Sequence, residues 1–336
     1  YTGNIKGRKY YSVNRNEGQV IIDMTGGHVG YENFWGSTET QKINQIITYP
    51  DGKQGMVNTQ TSDSLTKKLV YADNEVNLIS FNGGYVRTTN NEVVSKYDYS
   101  LPNGEGTNTI GTNNLSKKMS PKLERLIVPK FRDVPGHWAE EYIEKLYSLD
   151  VFDNTSMTFF VPEGPITRKE YIKAVLKASN IEPEITETNR RGGNRRRNRR
   201  EPEEVSPFAD ISINDKDYPY IKEAYDLGII YGGHTDLFRP KETLTVAEGV
   251  TMLIRALGFE NRAPNPGYYT NFLDDRDIPS WAKDSAYVAK ELGILKGDRL
   301  NPNRPLSRAE ASQLLVRFLE FLEKDLQKDY RENIIL

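Results

Sequence analysis

The stretch of this chain with the densest charge is "NRRGGNRRRNRREPEE", residues 189–204, with seven arginines between Arg190 and Arg200. Guanidinium groups at that density suit phosphate or carboxylate polymers, the chemistry of a nucleic-acid or polyanion arm. The rest of the chain does not continue that theme. Its 45 basic residues face 47 acidic ones, for a net charge of -2, and no RNA- or DNA-binding module accompanies the run. A second group of interest is Glu17, Asp23, Glu32 and Glu39, four carboxylates close in sequence. Glycoside cleavage uses two carboxyl groups roughly 5–10 Å apart, a distance that sequence spacing does not settle. The three histidines, His28, His137 and His234, follow no metal-ligand spacing. With no cysteine in the chain, a disulfide scaffold, a thiolate zinc site and a cysteine nucleophile are all excluded. Residues 23–36, "DMTGGHVGYENFWG", are rich in glycine and aromatics but lack phosphate-loop or dinucleotide spacing, and read as turns between strands. No apolar run approaches the ~20 residues of a membrane span. The first residue is Tyr1 rather than Met, which reads as a mature or excised form.

The elements that must position these residues fall into two halves. Residues 1–120 contain one alanine, Ala72, whereas residues 131–336 contain thirteen. The first half is rich in Thr, Tyr, Asn and Gly, a strand-and-turn composition. Pro50-Asp51-Gly52 between two β-like runs predicts a hairpin. Further strands are expected from residue 67 to 100, broken at Asp73-Asn74, at Asn82-Gly83-Gly84 and at Asn90-Asn91. The expectation is an all-β meander or small sandwich over residues 1–101. Residues 102–130 open with the Gly/Asn/Thr/Pro content of a linker.

The second half carries an internal repeat. Three segments begin Phe-x-Asp: Phe131-Arg132-Asp133, Phe208-Ala209-Asp210 and Phe272-Leu273-Asp274. Roughly thirty residues on, each reaches Pro-x-x-x-[Ile/Leu]-[Thr/Ser]-x-x-Glu: "PEGPITRKE" (162–170), "PKETLTVAE" (240–248) and "PNRPLSRAE" (302–310). Thr167–Glu170, Thr245–Glu248 and Ser307–Glu310 have the spacing of a capping box, in which the hydroxyl takes a free N–H and the Glu reaches back. Ile166, Leu244 and Leu306 precede each cap, placed for a hydrophobic staple. An apolar helix face follows each one. The first half of each copy also reads as a helix, ending in two copies on a glycine, Gly228 and Gly293, as a left-handed cap wants. Each helix–loop–helix unit has one apolar stripe too small to be buried alone, so three units on a shared core are expected.

These residues resemble the surface-layer homology (SLH) repeat. Copy one carries His137-Trp138-Ala139 and "ITRKE", copy two "LGIIYGGHTDLFRP" and "LTVAE", copy three Trp281-Ala282, "LGILKGDRLNP" and "LSRAE". The resemblance covers about 131–322 and implies a pseudo-threefold helical prism. It also implies grooves that hold the secondary cell-wall polysaccharide of Gram-positive-type envelopes, often through a pyruvylated N-acetylmannosamine. On that basis the chain is expected to be α+β in separate domains, secreted, non-catalytic and wall-associated at the cell surface. Partners are the pyruvylated polysaccharide and, through the β-domain, further copies or other surface-layer subunits. Nucleic acid and a membrane span are not expected. Nor is a cofactor, with a structural calcium ion left open. The competing reading makes the chain the anchoring part of an exoenzyme or adhesin whose β-domain binds or acts on carbohydrate.

Carried over residue by residue, the resemblance implies polysaccharide binding at Asp133, Trp138, Arg168, Asp210, Gly228, Gly232, Gly233, Asp274, Trp281, Gly293, Gly297 and Arg308. A motif arginine can take a ketal carboxylate bidentately, and a Trp offers an apolar face to a sugar ring. The copies depart from the pattern unevenly. Copy two has Val246 in place of the motif arginine and offers Tyr218 or Tyr220 for the tryptophan, while copy one has Asp150 and Asn154 in place of glycines. Asp133, Trp138 and Arg168 are therefore expected to work with the Gly228–Gly233 loop. The aspartates could instead cap the first helix, the tryptophans could pack, and the arginines could form structural salt bridges. The arginine run falls between copies. From cap to next Phe-x-Asp is 208 − 167 = 41 residues after copy one and 272 − 245 = 27 after copy two, so about 14 residues are inserted. The insertion reads as a solvated loop, or as an auxiliary contact of Arg195, Arg196 and Arg197 with a polyanion. The expected order is thus repeat one at 131–180, connector 181–207, repeat two 208–259, connector 260–271, repeat three 272–322 and a helical tail 323–336.

Overall fold

The computed structural model describes residues 1–12, 18–72, 83–153, 158–183, 205–231, 236–264 and 268–333. The chain forms two compact units, residues 1–126 with 322–336, and residues 127–321.

The first unit is a single antiparallel sheet with seven strands: β1 (Thr2–Ser12), β2 (Gln19–Asn33), β3 (Gly36–Thr48), β4 (Gln54–Ala72), β5 (Gly84–Pro102), β6 (Asn108–Lys118) and β7 (Lys122–Leu126). The order is β1-β2-β3-β4-β5-β6, with β7 on β5 beyond the end of β6. This is the meander expectation rather than the sandwich: among the described residues no second sheet covers the first. The hairpin at Pro50–Gly52 is present: Gly52 sits at φ 82° and donates to the Tyr49 carbonyl. Three other expectations are corrected. Residues 23–33 are not turns but part of β2, every residue paired with β3, leaving only Phe34-Trp35 as the turn. Gly36 closes that turn at φ 144°, where a Cβ would come within 1.8 Å of the Leu65 carbonyl oxygen. Asn90-Asn91 does not break a strand, since the pair sits opposite Thr66 and Leu65 and ladder hydrogen bonds override local turn preference. The expected linker at 102–130 contains β6 and β7. Its Asn103–Gly106 segment is a hairpin turn in which the Asn103 side chain accepts from the Glu105 and Thr107 amides. An edge strand needs few apolar side chains, so β6 keeps a linker's composition.

A single sheet buries little by itself. The covered patch lies around Trp35, with Leu322 and Leu326 of the C-terminal helix buried beside it in the same unit. Asn33 donates to the Leu322 carbonyl (2.8 Å) and accepts from the Trp35 amide (2.8 Å), and the Tyr31 hydroxyl donates to Asp325 (2.6 Å). The segment expected as a helical tail is therefore a packed part of the sheet unit as far as Leu326.

The second unit holds the three copies, each with two α-helices among the described residues: α1 (Glu140–Ser148) and α2 (Arg168–Ala178), α3 (Tyr218–Asp226) and α4 (Val246–Ala256), α5 (Ser280–Glu291) and α6 (Arg308–Asn333), the last running on from residue 322 into the first unit. All three capping boxes form; in copy three the Ser307 hydroxyl accepts from the Glu310 amide (3.2 Å) and Glu310 accepts from the Ser307 amide (3.1 Å). The first helix of each copy runs into a left-handed residue, Asp150 (φ 58°), Gly228 (φ 70°) or Gly293 (φ 72°), so copy one manages this cap without glycine. The second helix stops the same way at Asn180 and Gly258. Position 320, the equivalent in copy three, is Glu, and α6 runs on to Asn333.

The copies join in a closed cycle. The Ile166 amide donates to the Leu306 carbonyl (3.0 Å), Leu306 to Leu244 (2.8 Å), and Leu244 back to Ile166 (3.3 Å). All three side chains are 0–1% exposed. Truncating one of them opens a cavity that all three copies line. Leu244→Ala is expected to cost about 2–5 kcal/mol in denaturant unfolding, against about 0.5 kcal/mol or less for exposed Leu273→Ala. Equal costs would show that the cycle is not a core.

Asp275, beside the third Phe-x-Asp, offers a pH test. Burial pushes its carboxyl up. The Lys283 ammonium (2.9 Å) and bonds from the Thr270 hydroxyl and amide outweigh that and hold it at about 2. A depressed folded-state value stabilises above the unfolded value near 3.8, and that stability is lost as pH falls toward 2. Between pH 5 and 2.5 the thermal midpoint of Asp275→Asn is expected to fall less than that of the native chain. Parallel curves would refute the assignment.

Candidate functional site

The motif glutamates do two jobs at once. In Glu170 and Glu248, Oε2 accepts from the capping Thr of the same copy, while Oε1 accepts from an arginine of the neighbouring copy. Arg308 of copy three reaches Glu170 of copy one (2.9 Å), and Arg168 of copy one reaches Glu248 of copy two (2.7 Å). Each guanidinium also lies over a phenylalanine of the copy it reaches, Phe160 at 4.7 Å and Phe238 at 5.6 Å. The third position of this cycle has Val246 instead. There Glu310 is held by Arg304 of its own copy through a two-pronged contact of 2.8 and 2.7 Å. Two junctions thus carry a cross-copy arginine and one does not.

The Arg308 junction opens into a pocket of about 200 Å³. Tyr147 and Phe152 form its apolar wall; Lys169, Lys173 and Lys216 bring cations beside Asp153, Glu170 and Asp217. Burial raises the Glu170 carboxyl, but Arg308 and the Thr167 bonds outweigh it, and the group lies below its ordinary range. The Nε of Arg308 is buried and has no hydrogen-bond partner. A buried guanidinium N–H without an acceptor is costly and rare. A carboxylate entering this pocket would supply one.

The other nominated residues divide sharply. Asp133, Asp210 and Asp274 neither cap a first helix nor stand free for ligand. Each accepts from two successive amides late in its own copy: Phe160 and Val161, Phe238 and Arg239, Leu300 and Asn301, at 2.6–2.9 Å. The second amide of each pair belongs to a left-handed residue (φ 59°, 58° and 52°), so the carboxylate staples a backbone nest. Trp138 and Trp281 are each 52% exposed, Trp138 just before α1 and Trp281 in the first turn of α5, and neither lines the Arg308 pocket. Gly228 and Gly293 are helix caps, and Gly297 has φ 102°. Arg168 does reach copy two, as expected, but its contacts are Glu248 and Phe238 rather than a shared site with Asp133. Gly232, Gly233, Asn154, His234, Glu17 and the run Arg195, Arg196, Arg197 lie outside the described residues.

The tryptophan of copy two is replaced by neither Tyr218 nor Tyr220. Eleven residues before the left-handed cap stand Ala139 (150 − 11), Asp217 (228 − 11) and Ala282 (293 − 11), so Lys216 takes the tryptophan position. Asp217 is 4% exposed where the other copies bury alanine. Lys173 (2.7 Å) and Lys169 (3.1 Å) from α2 meet it, and Lys173 also meets Asp153 (2.6 Å). Burial pushes the Asp217 carboxyl up, yet the two ammonium groups more than offset this and lower it. The full motif alignment carries this signal; scanning for a nearby aromatic misses it.

Of the carboxylates considered for glycoside cleavage, Glu32 and Glu39 share one face of the sheet as diagonal neighbours, Glu32 opposite Ser37 and Glu39 opposite Gly30. Asp23 and Glu39 fall on opposite faces by strand alternation and register, and Asp23 pairs with Arg8. Glu39 accepts from Gln41 and from the Tyr1 hydroxyl, and both hold its carboxyl low, not raised as a general acid needs. Among the described residues no group of three metal-ligating side chains occurs, and no helix is long and apolar enough to cross a membrane.

The S-layer homology domain profile matches residues 130–172, 207–248 and 271–312. The chain carries three S-layer homology domains. It is similar to the exoglucanase XynX of Acetivibrio thermocellus, 28% identical over 68% of this chain and 19% of that protein. It is also similar to the surface-layer 125 kDa protein of Lysinibacillus sphaericus (24%, over 61% and 16%) and to S-layer protein EA1 of Bacillus anthracis (26%, over 55% and 20%). The chain thus spans about a fifth or less of these relatives' lengths. The SLH domains and these similarities mark it as a cell-surface, wall-associated protein.

Asp217 gives the junction between SLH copies one and two a prediction of its own. Asp217→Asn leaves Lys169 and Lys173 short of a counter-charge, and is expected to cost about 1–3 kcal/mol, below a fully enclosed pair because Lys169 reaches solvent. Urea unfolding with no loss would show that the cluster is only a surface network.

Proposed function

We propose that the three SLH copies close into a pseudo-threefold prism whose grooves bind a secondary cell-wall polysaccharide non-covalently, anchoring a secreted, non-catalytic surface protein. The single observation that carries this reading is the buried, unpartnered Nε of Arg308 beside a pocket lined by copy one together with Lys216 and Asp217 of copy two. A pyruvyl ketal places a carboxylate on the sugar, and an arginine fork is the side chain that pairs with it best. Arg168 makes the equivalent cross-copy contact with Glu248, but its Nε already donates to the Phe238 carbonyl (2.9 Å). The Val246 junction, lacking a cross-copy arginine, serves structure. The half-exposed Trp138 and Trp281 supply apolar faces for neighbouring sugar rings. The sheet unit is displayed from this anchor for surface-layer assembly or protein attachment, without a cofactor; a structural calcium ion remains compatible. The polysaccharide-named enzymes among the relatives favour one other reading, in which this chain anchors an exoenzyme or adhesin whose sheet unit binds or acts on carbohydrate.

Pull-down on purified cell-wall sacculi tests the anchor. Arg168→Ala with Arg308→Ala is expected to lower retention roughly tenfold or more, as removal of buried charged contacts does, while Val246→Ala leaves it unchanged. Undiminished retention of the folded double variant sinks the proposal.

A further inference from the structure

The sheet unit has a polar cleft of about 530 Å³ on the face of β2 to β5 that carries Lys42, Gln60 and Lys96. These three stand directly opposite one another in register, Lys42 with Gln60 and Gln60 with Lys96. Direct neighbours in an antiparallel ladder are about 5 Å apart at Cα, so the two lysines stand roughly 10 Å apart across the glutamine. The next position in that row is Gly27, whose missing side chain leaves a notch beside Lys42.

The row holds donors without acceptors. Gln60 Nε2 is buried and makes no hydrogen bond. Neither Lys42 nor Lys96 forms an ion pair with any of the described residues. Two like charges flanking an unpaired amide oppose folding slightly and gain nothing locally. The next row on the same face differs in character. Asn44 donates to Asn58 (2.7 Å), and Asp98 accepts from the Thr112 hydroxyl (2.6 Å), which leaves amide and carboxylate groups at the cleft with spare capacity. One row calls for an oxyanion. The other, with Asp98 present, disfavours a bare anion and suits hydroxyl groups.

We propose that this cleft binds an acidic glycan, a sugar chain whose carboxylate or phosphate group sits between Lys42 and Lys96 and draws the Gln60 amide into a hydrogen bond, with hydroxyls on Asn58 and Asp98. The site lies outside the SLH copies and does not depend on their grooves. It makes the sheet unit a second glycan contact rather than a passive display.

The test uses the full chain carrying Arg168→Ala and Arg308→Ala, which removes the groove arginines, titrated with oligoglucuronate, phosphorylated dextran or neutral dextran. Calorimetry and the NMR signal of the Gln60 side-chain amide are followed. One or both acidic polymers are expected to bind and shift that amide, and dextran to do neither; which polymer binds identifies the anion source. Lys42→Glu with Lys96→Glu, at exposed positions that leave the unfolding midpoint unchanged, is expected to weaken binding about tenfold or more, and added salt to weaken it in the native-lysine chain. Binding by neither acidic polymer, equal binding of dextran, or undiminished binding by the charge-reversed chain overturns the proposal. Loss of sacculus binding by the arginine variant leaves this outcome untouched, so the two proposals fail separately.

Discussion

The C-terminal unit depends on one cycle of three backbone hydrogen bonds, Ile166 to Leu306 to Leu244 to Ile166. Its consequence is mutual incompleteness. Each copy leaves an amide, a carbonyl and an apolar side chain that only another copy satisfies. The capping glutamates tie helix initiation to the same cycle. One oxygen of Glu170 starts α2, and the other receives Arg308 from copy three. The helix start and the junction therefore share one carboxylate, and neither is free to shift without the other.

Within that cyclic plan the copies have diverged in chemistry. Two junctions hold an arginine over a phenylalanine. The third has Val246 and Leu300 at the matching places, and Arg304 fills in from within its own copy to keep Glu310 paired. Pairing of the glutamate is thus kept at all three junctions, as a half-buried carboxylate at a helix start demands, while the arginine position is not. The Phe-x-Asp aspartates show the opposite behaviour. All three staple a left-handed backbone nest in the same way. Their uniformity reflects a backbone requirement, and their carboxylates are already used.

The sheet unit follows another logic. Its long strands form one layer, and among the described residues its buried large apolar side chains are Trp35, with Leu322 and Leu326 beside it, and Tyr85 against Tyr71. Ladder hydrogen bonds and cross-strand side-chain pairs such as Asn44–Asn58 and Thr61–Ser95 carry much of the remainder. The edge strands β1 and β6 carry lysines, among them Lys6, Lys9, Lys117 and Lys118, which oppose edge-to-edge pairing. Open faces on such a sheet present regular rows of side chains, and the Lys42–Gln60–Lys96 row is one whose donors lack acceptors.

Local chemistry was legible wherever partners lie a few residues apart. Thr167–Glu170 and its two counterparts announce helix starts, Gly228 and Gly293 announce helix ends, and Pro50-Asp51-Gly52 announces a hairpin, because each satisfies backbone groups within one turn of chain. The threefold repetition made a shared core necessary, since one amphipathic stripe buries too little alone. Composition misled where a strand borrows stability from its neighbour: β6 reads as linker and Asn90-Asn91 as a turn, yet ladder pairing holds both extended. Only the tertiary structure could assign Glu248 to Arg168, bury Asp217 against Lys169 and Lys173, and expose the unpaired Nε of Arg308. Those contacts join residues 138 positions apart at Arg308–Glu170 and 80 at Arg168–Glu248. Nothing in a residue's own neighbourhood encodes which distant partner closes its hydrogen bonds; the packed copies decide it.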